Sequence, residues 1–356
     1  MSETAETAQT SSMRAAVWTG PDQITVQRIP LPEVPEGWAL VRSEYTGLCG
    51  TDFSILHGTH PRAQAPLVMG HEITGVVEVA APTGPAAGTR VTVEPLISCG
   101  HCGPCRAGLT HVCRNLGLYG IDRPGSLAEY VALPPEALVP VPADVPELEV
   151  ALAEPLAVAV HAVSQSRLTG GETVLVFGAG PIGVLTALVA RAAGAGRVLV
   201  TEPSAARLAV AEGLGLETVP TGTDPVQAVR DATGGEGADI VFDSAAHPSV
   251  ALQLSAATRV RGTIVLVGIY KAPAPVDLQG IAFAEQQVVG VRVYTRADVE
   301  RAVELISTDA LGLGRLPVQV FALEDTAAAF ELAMAASGVL KVLVSPTAAP
   351  AGEQQP

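Results

Sequence analysis

The fifteen residues CGHCGPCRAGLTHVC (99–113) hold four of the chain's five cysteines. Their spacing, Cys99-x2-Cys102-x2-Cys105-x7-Cys113, lets four thiolates wrap one tetrahedral ion. Gly100, Gly103 and Pro104 supply tight turns between them. Four soft ligands close the shell, so the ion, read as zinc, is structural. An iron–sulfur cluster is the rival, but its bacterial form places the fourth cysteine after three residues and follows it with proline. Here the gap is seven and Arg114 follows. His101 and His111 are the other ligand types in the lobe.

The fifth cysteine, Cys49, stands alone in GLCGTDFSILHG. His71 follows in VMGHEITGVVEV and Glu154 in LAEPLAVAVHAV. Cysteine, histidine and carboxylate can hold a zinc with its fourth position open, a Lewis acid that binds an alcohol and lowers its pKa. Each residue also has a plain structural reading: a small buried thiol, a satisfied core histidine, a surface acid.

From residue 172 the elements needed to position a nucleotide come into view. TVLVF reads as a buried strand, and GAGPIG places Gly178, Gly180 and Gly183 in G-x-G-x-x-G before a helix opening at Pro181. The glycines permit a tight turn, close approach of a pyrophosphate and helix–strand packing, with the phosphates at the helix N-terminus. Pro181 and Ile182 belong to the same cofactor-binding turn. Glu202 ends the next strand, where a carboxylate accepts from ribose hydroxyls and repels a 2′-phosphate, so NAD is favoured; Arg207 nearby pulls slightly the other way. The alternation continues with a helix over 224–232, a strand over 239–245, a helix over 248–257, then strands over 262–268 and 285–294. This predicts an α/β fold with a doubly wound parallel sheet. Before residue 150, short β-rich pieces separated by proline and glycine predict a twisted, mostly β domain.

Composition excludes other classes. Hydrophobic residues make up 48% and charged residues 16%, a folding composition. Net charge is −15, which disfavours nucleic acid. The odd cysteine count and the lack of a secretory pattern point to a cytoplasmic protein with metal or catalytic thiols. No apolar run has the length of a membrane span. The ends, 1–12 and 347–356, read as loose tails.

Taken together, GLCGTD, GHE, the four-cysteine lobe, EPLAVAVHA, GAGPIG and Glu202 resemble the zinc-dependent medium-chain dehydrogenase/reductase family over about residues 13–345, closest in pattern to its 2,3-butanediol and sorbitol (polyol) branch. The resemblance implies a Rossmann sheet inserted in a GroES-like β-rich catalytic domain: 13–158 and 296–346 catalytic, 159–295 cofactor-binding. It implies two zinc ions per chain. Cys49, His71 and Glu154 hold the catalytic one, with Glu72 an exchanging or neighbouring ligand, and Cys99, Cys102, Cys105 and Cys113 hold the structural one. It further implies that Asp52 orients His71 and that Thr51 starts a proton relay, which His57 could extend. Glu154, where alcohol dehydrogenases of the family carry cysteine, is similar to polyol enzymes. Val293-Tyr294 stands where sorbitol enzymes carry Arg-Tyr, so the arginine that contacts polyol hydroxyls in those enzymes is missing here; Arg292 and Arg296 lie nearby. Leu96, Ile97, Phe53 and Tyr119 are candidate pocket walls or plain core. The implied activity is reversible, NAD-linked oxidation of a secondary alcohol, vicinal diol or polyol to a ketone. The alternatives are a threonine-type or biosynthetic cyclitol or sugar-alcohol dehydrogenase, and a non-catalytic zinc-stabilised NAD binder. A homodimer or homotetramer is expected, with QQVVGVRVY a candidate edge strand.

Overall fold

A computed structural model describes residues 12–335 and 338–348. Most of both expected tails lies outside the described residues. Of the rest, Ser12 already opens the first strand, Ser12–Gly20, and Thr347 turns back so that its N–H donates to Ser345 Oγ.

The alternating half folds as six parallel strands. Their spatial order is 217–219, 197–201, 173–177, 238–243, 258–266, 287–290. In chain order this is 3-2-1-4-5-6, with its reversal beside the strand that ends at Phe177, just before Gly178. Ligands of open α/β sheets bind at that reversal, because the connections leave there in opposite directions. The central strand TVLVF is buried from Val174 onward, as a strand covered on both faces must be.

Two expected elements differ in detail. The helix over 248–257 is two single turns, Pro248–Ala251 and Leu254–Ala257. The strand over 285–294 keeps only Gln287–Gly290, since Val291 to Tyr294 leave the sheet on their way to the helix Arg296–Ser307.

The β-rich half forms a seven-stranded sheet. Strands 138–140, 90–93, 72–79 and 39–47 run in order, with 130–133 also paired to 39–47. The C-terminal strands Lys341–Ser345 and Val318–Ala322 complete it, the former antiparallel to Ala39–Gly47. The chain therefore returns after the parallel sheet to finish the first one, which brings Lys341 beside Gly47. The helix Ala153–Gln165 runs unbroken across the expected boundary at 158/159 and packs against the helix Pro181–Ala192 and against Arg296–Ser307. One apolar cluster spans all three helices, from Leu156 through Leu188 to Val299.

Candidate active site

Cys49 caps the N-terminus of the helix Gly50–Leu56, and Asp52 in its first turn accepts the Cys49 N–H at 2.9 Å. The other Asp52 oxygen, Oδ1, faces His71 Nδ1 at 3.4 Å. Both residues are buried, and neither of these two atoms completes a hydrogen bond. One carboxylate thus holds the backbone of one candidate ligand and faces the ring of another. Nδ1 is turned toward Asp52, which leaves Nε2 as the ring atom for a ligand. Burial opposes charge on His71, yet the Asp52 and Cys49 charges override it and hold the pKa well above its usual value. A bound dication would displace that proton.

Glu72 follows His71 at the start of its strand and is 2% exposed. The donor atoms of Cys49, His71 and Glu72 lie within 4.8 Å of one another. One soft sulfur, one imidazole and one carboxylate at that separation suit zinc. Lys341, also buried, donates to Glu72 Oε1 at 2.5 Å and to the Leu48 carbonyl at 3.0 Å.

Glu154 is not within this trio. It sits in the first turn of Ala153–Gln165, 8% exposed, and its Oε1 accepts the Tyr294 hydroxyl at 2.6 Å. Burial and the nearby Glu72 charge raise its pKa to about 7. Tyr294 itself is fully buried. Thr51 is half-buried, with Oγ1 4.0 Å from Cys49 Sγ. His57, at the far end of the short helix, is exposed, with Nδ1 2.6 Å from Asp22. Arg296 donates to the Glu136 and Leu138 carbonyls, and Arg292 is exposed. Phe53 packs edge-on against Phe330 and Tyr119 against Trp38, while Leu96 and Ile97 are half-buried in a two-residue strand.

The four-cysteine lobe closes on itself. All four thiols are free of disulfides. The sulfurs of Cys102 and Cys105 are 3.4 Å apart, Cys102 and Cys113 3.9 Å, Cys99 and Cys105 4.0 Å. A tetrahedral zinc with sulfurs at about 2.3 Å has sulfur–sulfur edges of about 3.8 Å, so the spread brackets the required value. Backbone N–H groups of Cys99 and Asn115 both donate to Cys113 Sγ, as they would to a thiolate. His101 does not compete, since its Nδ1 lies 2.6 Å from the Cys99 carbonyl. His111 instead turns its ring against His161.

At the glycine turn, a β-carbon on Gly183 would fall 1.9 Å from the Gly178 carbonyl, so no other residue fits. Gly178 takes φ +99°. A β-carbon on Gly180, the N-cap of Pro181–Ala192, would meet nothing within 4 Å, which leaves open space where a pyrophosphate would approach the helix end. Pro181 and Ile182 form the first helical turn. Glu202 accepts the Ala179 N–H at 2.9 Å and the Ser204 N–H at 3.1 Å, so the turn and the acid are locked together. Arg207 stands in the first turn of the next helix, which Ser204 caps.

Lys341 escaped the sequence reading although its signal was present: a single lysine inside the apolar run VLKVLVS. A buried strand does not carry a cation without a partner. The Glu154–Tyr294 contact had no local signal, because 140 residues separate the two.

The description "Alcohol dehydrogenase GroES-like domain" matches residues 35–143 and "Zinc-binding dehydrogenase" matches 181–308. The chain is 42% identical to 2-dehydro-3-deoxy-L-galactonate 5-dehydrogenase of Pseudoalteromonas atlantica, over 80% of this chain and 85% of that one. It is 33% identical to L-threonine 3-dehydrogenase of Bacillus subtilis, over 85% and 90%. A zinc-binding dehydrogenase of Sinorhizobium meliloti solved with NADP superposes with a TM-score of 0.88 at 32% identity, covering 94% of this chain and 100% of that one.

Proposed function

From the premise that the chain belongs to the zinc-type alcohol dehydrogenases of the medium-chain dehydrogenase family, we propose that it oxidises a secondary alcohol with a polar neighbour, a vicinal diol, polyol or sugar acid, and passes the hydride to NAD. The observation that carries this reading is the convergence of Cys49, His71 and Glu72, with Glu154 on a helix packed against the one that opens at the glycine turn. A zinc bound there would acidify the alcohol, and a nicotinamide bound at the glycine turn would accept the hydride.

The protein's own residues do the rest. Asp52 holds Cys49 and His71 in register. Lys341 balances Glu72. Thr51, two residues from Cys49 and with Oγ1 4.0 Å from its sulfur, takes the hydroxyl proton. Glu154, with a pKa near neutrality, can hold or release a proton at the working pH. Cys99, Cys102, Cys105 and Cys113 hold a second zinc that stiffens their lobe. Glu202 supports NAD over NADP, because a 2′-phosphate would meet a carboxylate already fixed by two amides. The catalytic unit is residues 13–158 with 296–346, and the cofactor unit 159–295.

The related dehydrogenases named above act at position 5 of a sugar acid and position 3 of threonine, both internal carbons. This favours a secondary alcohol over a primary one, and keeps a sugar acid or threonine as the second reading. The partner expected at the sheet edge is another copy of the chain. Among the described residues Gln287–Gly290 is paired on one side only, and Val288, Phe283, Leu278 and Ile269 near it are exposed.

The test is nicotinamide absorbance with NAD or NADP against 2,3-butanediol stereoisomers, polyols, cyclitols, sugar acids, threonine and primary alcohols. Turnover confined to secondary alcohols with a polar neighbour, and faster with NAD, is expected. A preference for primary alcohols would refute the substrate reading, and equal or better use of NADP would refute the cofactor reading.

A further inference from the structure

Among the described residues, seven other than glycine take φ in the left-handed region, and Val293 (φ +44°) is the one with a β-branched side chain. For such a residue this is a genuine outlier, held only where its surroundings over-determine it. It sits where the chain leaves the strand Gln287–Gly290 and enters the helix Arg296–Ser307, directly before Tyr294. On the other side of Tyr294 the backbone is clamped. Thr295 caps the helix, and its N–H and Oγ1 donate to Asp298 Oδ2 at 2.8 and 2.6 Å. The same oxygen lies 2.9 Å from His161 Nδ1. His161 and Asp298 are buried, and the His161 ring meets His111 of the four-cysteine lobe edge-on, centroids 5.2 Å apart.

His161 and Glu154 lie seven residues apart on the helix Ala153–Gln165, two turns along one face. Asp298 therefore ties the segment that carries Tyr294 to the very helix that carries Glu154. The Tyr294 hydroxyl then closes a loop between two elements fixed at both ends, engaging Oε1 and leaving Oε2 for substrate or water.

We propose that Tyr294, aimed by the strained backbone at Val293 and braced by the Asp298–His161 pair, is the positioning residue that holds Glu154 beside, and outside, the Cys49–His71–Glu72 trio. This rests on the reading that Glu154 works on the substrate next to that trio. Tyr294 touches no reacting atom in this role. It fixes where the carboxyl can be.

The experiment uses the metal-loaded enzyme and compares Tyr294→Phe, Asp298→Asn and Glu154→Gln with wild type. Four quantities are read: kcat and KM separately, metal content, thermal midpoint, and the visible spectrum of the cobalt-substituted protein. Tyr294→Phe keeps the buried ring and deletes only the hydroxyl. It is expected to lower kcat by about 10–100-fold, the usual effect of removing a group that orients a site residue. KM moves less, metal content is unchanged, and the cobalt bands shift as Glu154 is freed. Asp298→Asn, which leaves the hydroxyl in place, shifts both kcat and bands in the same direction, and carries the test if the tyrosine variant does not fold. Wild-type kcat and cobalt bands in Tyr294→Phe, or in Asp298→Asn where it stands in, overturn the proposal. Wild-type kcat in Glu154→Gln overturns the underlying role of Glu154 instead, so the two failures are distinguishable.

Discussion

Replacing Lys341 with methionine removes the cation from a pair in which neither partner reaches solvent: Lys341 is 4% exposed and Glu72 2%. Burial works against charge on Lys341, but the Glu72 and Cys49 charges more than compensate and raise its pKa above the ordinary value. Lys341 therefore keeps its charge, and the variant leaves the buried Glu72 without its cationic partner. Breaking a buried pair in this way costs about 3–5 kcal/mol, a factor of about 10²–10⁴ in the unfolding equilibrium. The Leu48 carbonyl loses its donor as well. The assay is urea unfolding of metal-stripped protein, followed by far-ultraviolet circular dichroism at pH 7.5. Lys341→Met should fall by the full amount, and the double variant Lys341→Met/Glu72→Gln should recover most of it, since a matched neutral pair needs no partner charge. Adding zinc should narrow the gap for the single variant, because a cation ligated by Glu72 replaces the missing one. A single variant within about 1 kcal/mol of wild type, the usual worth of an exposed pair, would refute the reasoning. So would a double variant no more stable than the single.

Three further outcomes follow from other parts of the molecule. Gly183→Ala, whose β-carbon would fall 1.9 Å from the Gly178 carbonyl, should weaken NADH binding by about 5–150-fold, the equivalent of about 1–3 kcal/mol of overpacking, in a fluorescence titration. Cys105→Ser should lower zinc content by one ion per chain, read by elemental analysis, and lower the thermal midpoint. The Glu172 carboxylate, whose burial penalty is outweighed by hydrogen bonds from Thr169 and Gly170, has its pKa held at about 2. Its folded pKa is depressed, so its stabilising effect is complete above about pH 4.5 and is lost as pH falls through 2. The stability gap between wild type and Glu172→Gln should be present at neutral pH and close across that window, in acid titrations followed by circular dichroism.

Local chemistry made much of this legible in the residues. The lobe needs only four thiols and the turns between them, all within fifteen residues, and its sulfurs do converge. The glycine turn is equally local, and its spacing anticipated the close packing at Gly183. What stayed hidden depends on chain return. Lys341 reaches Glu72 because the last strand pairs with Ala39–Gly47. Tyr294 reaches Glu154 because two helices far apart in sequence share a buried Asp298–His161 contact. Periodicity also overestimated the last parallel strand: VVGVRVY is apolar and β-rich enough to read on to Tyr294, but the left-handed backbone at Val293 belongs to the connection instead. Glu154 illustrates the limit most clearly. Its residue type and motif suggested a ligand, while its hydroxyl partner Tyr294 comes from a segment 140 residues away that only the assembled fold brings to it.

The most direct test of the central claim is zinc content per chain measured beside NAD reduction, for wild type and for Cys49→Ala. Two clusters of ligand-type side chains stand among the described residues, so wild type should hold two zinc ions. The variant should hold one, keep its fold and lose turnover. A wild-type protein with a single zinc, or a Cys49→Ala variant that still turns over a secondary alcohol, would contradict the account.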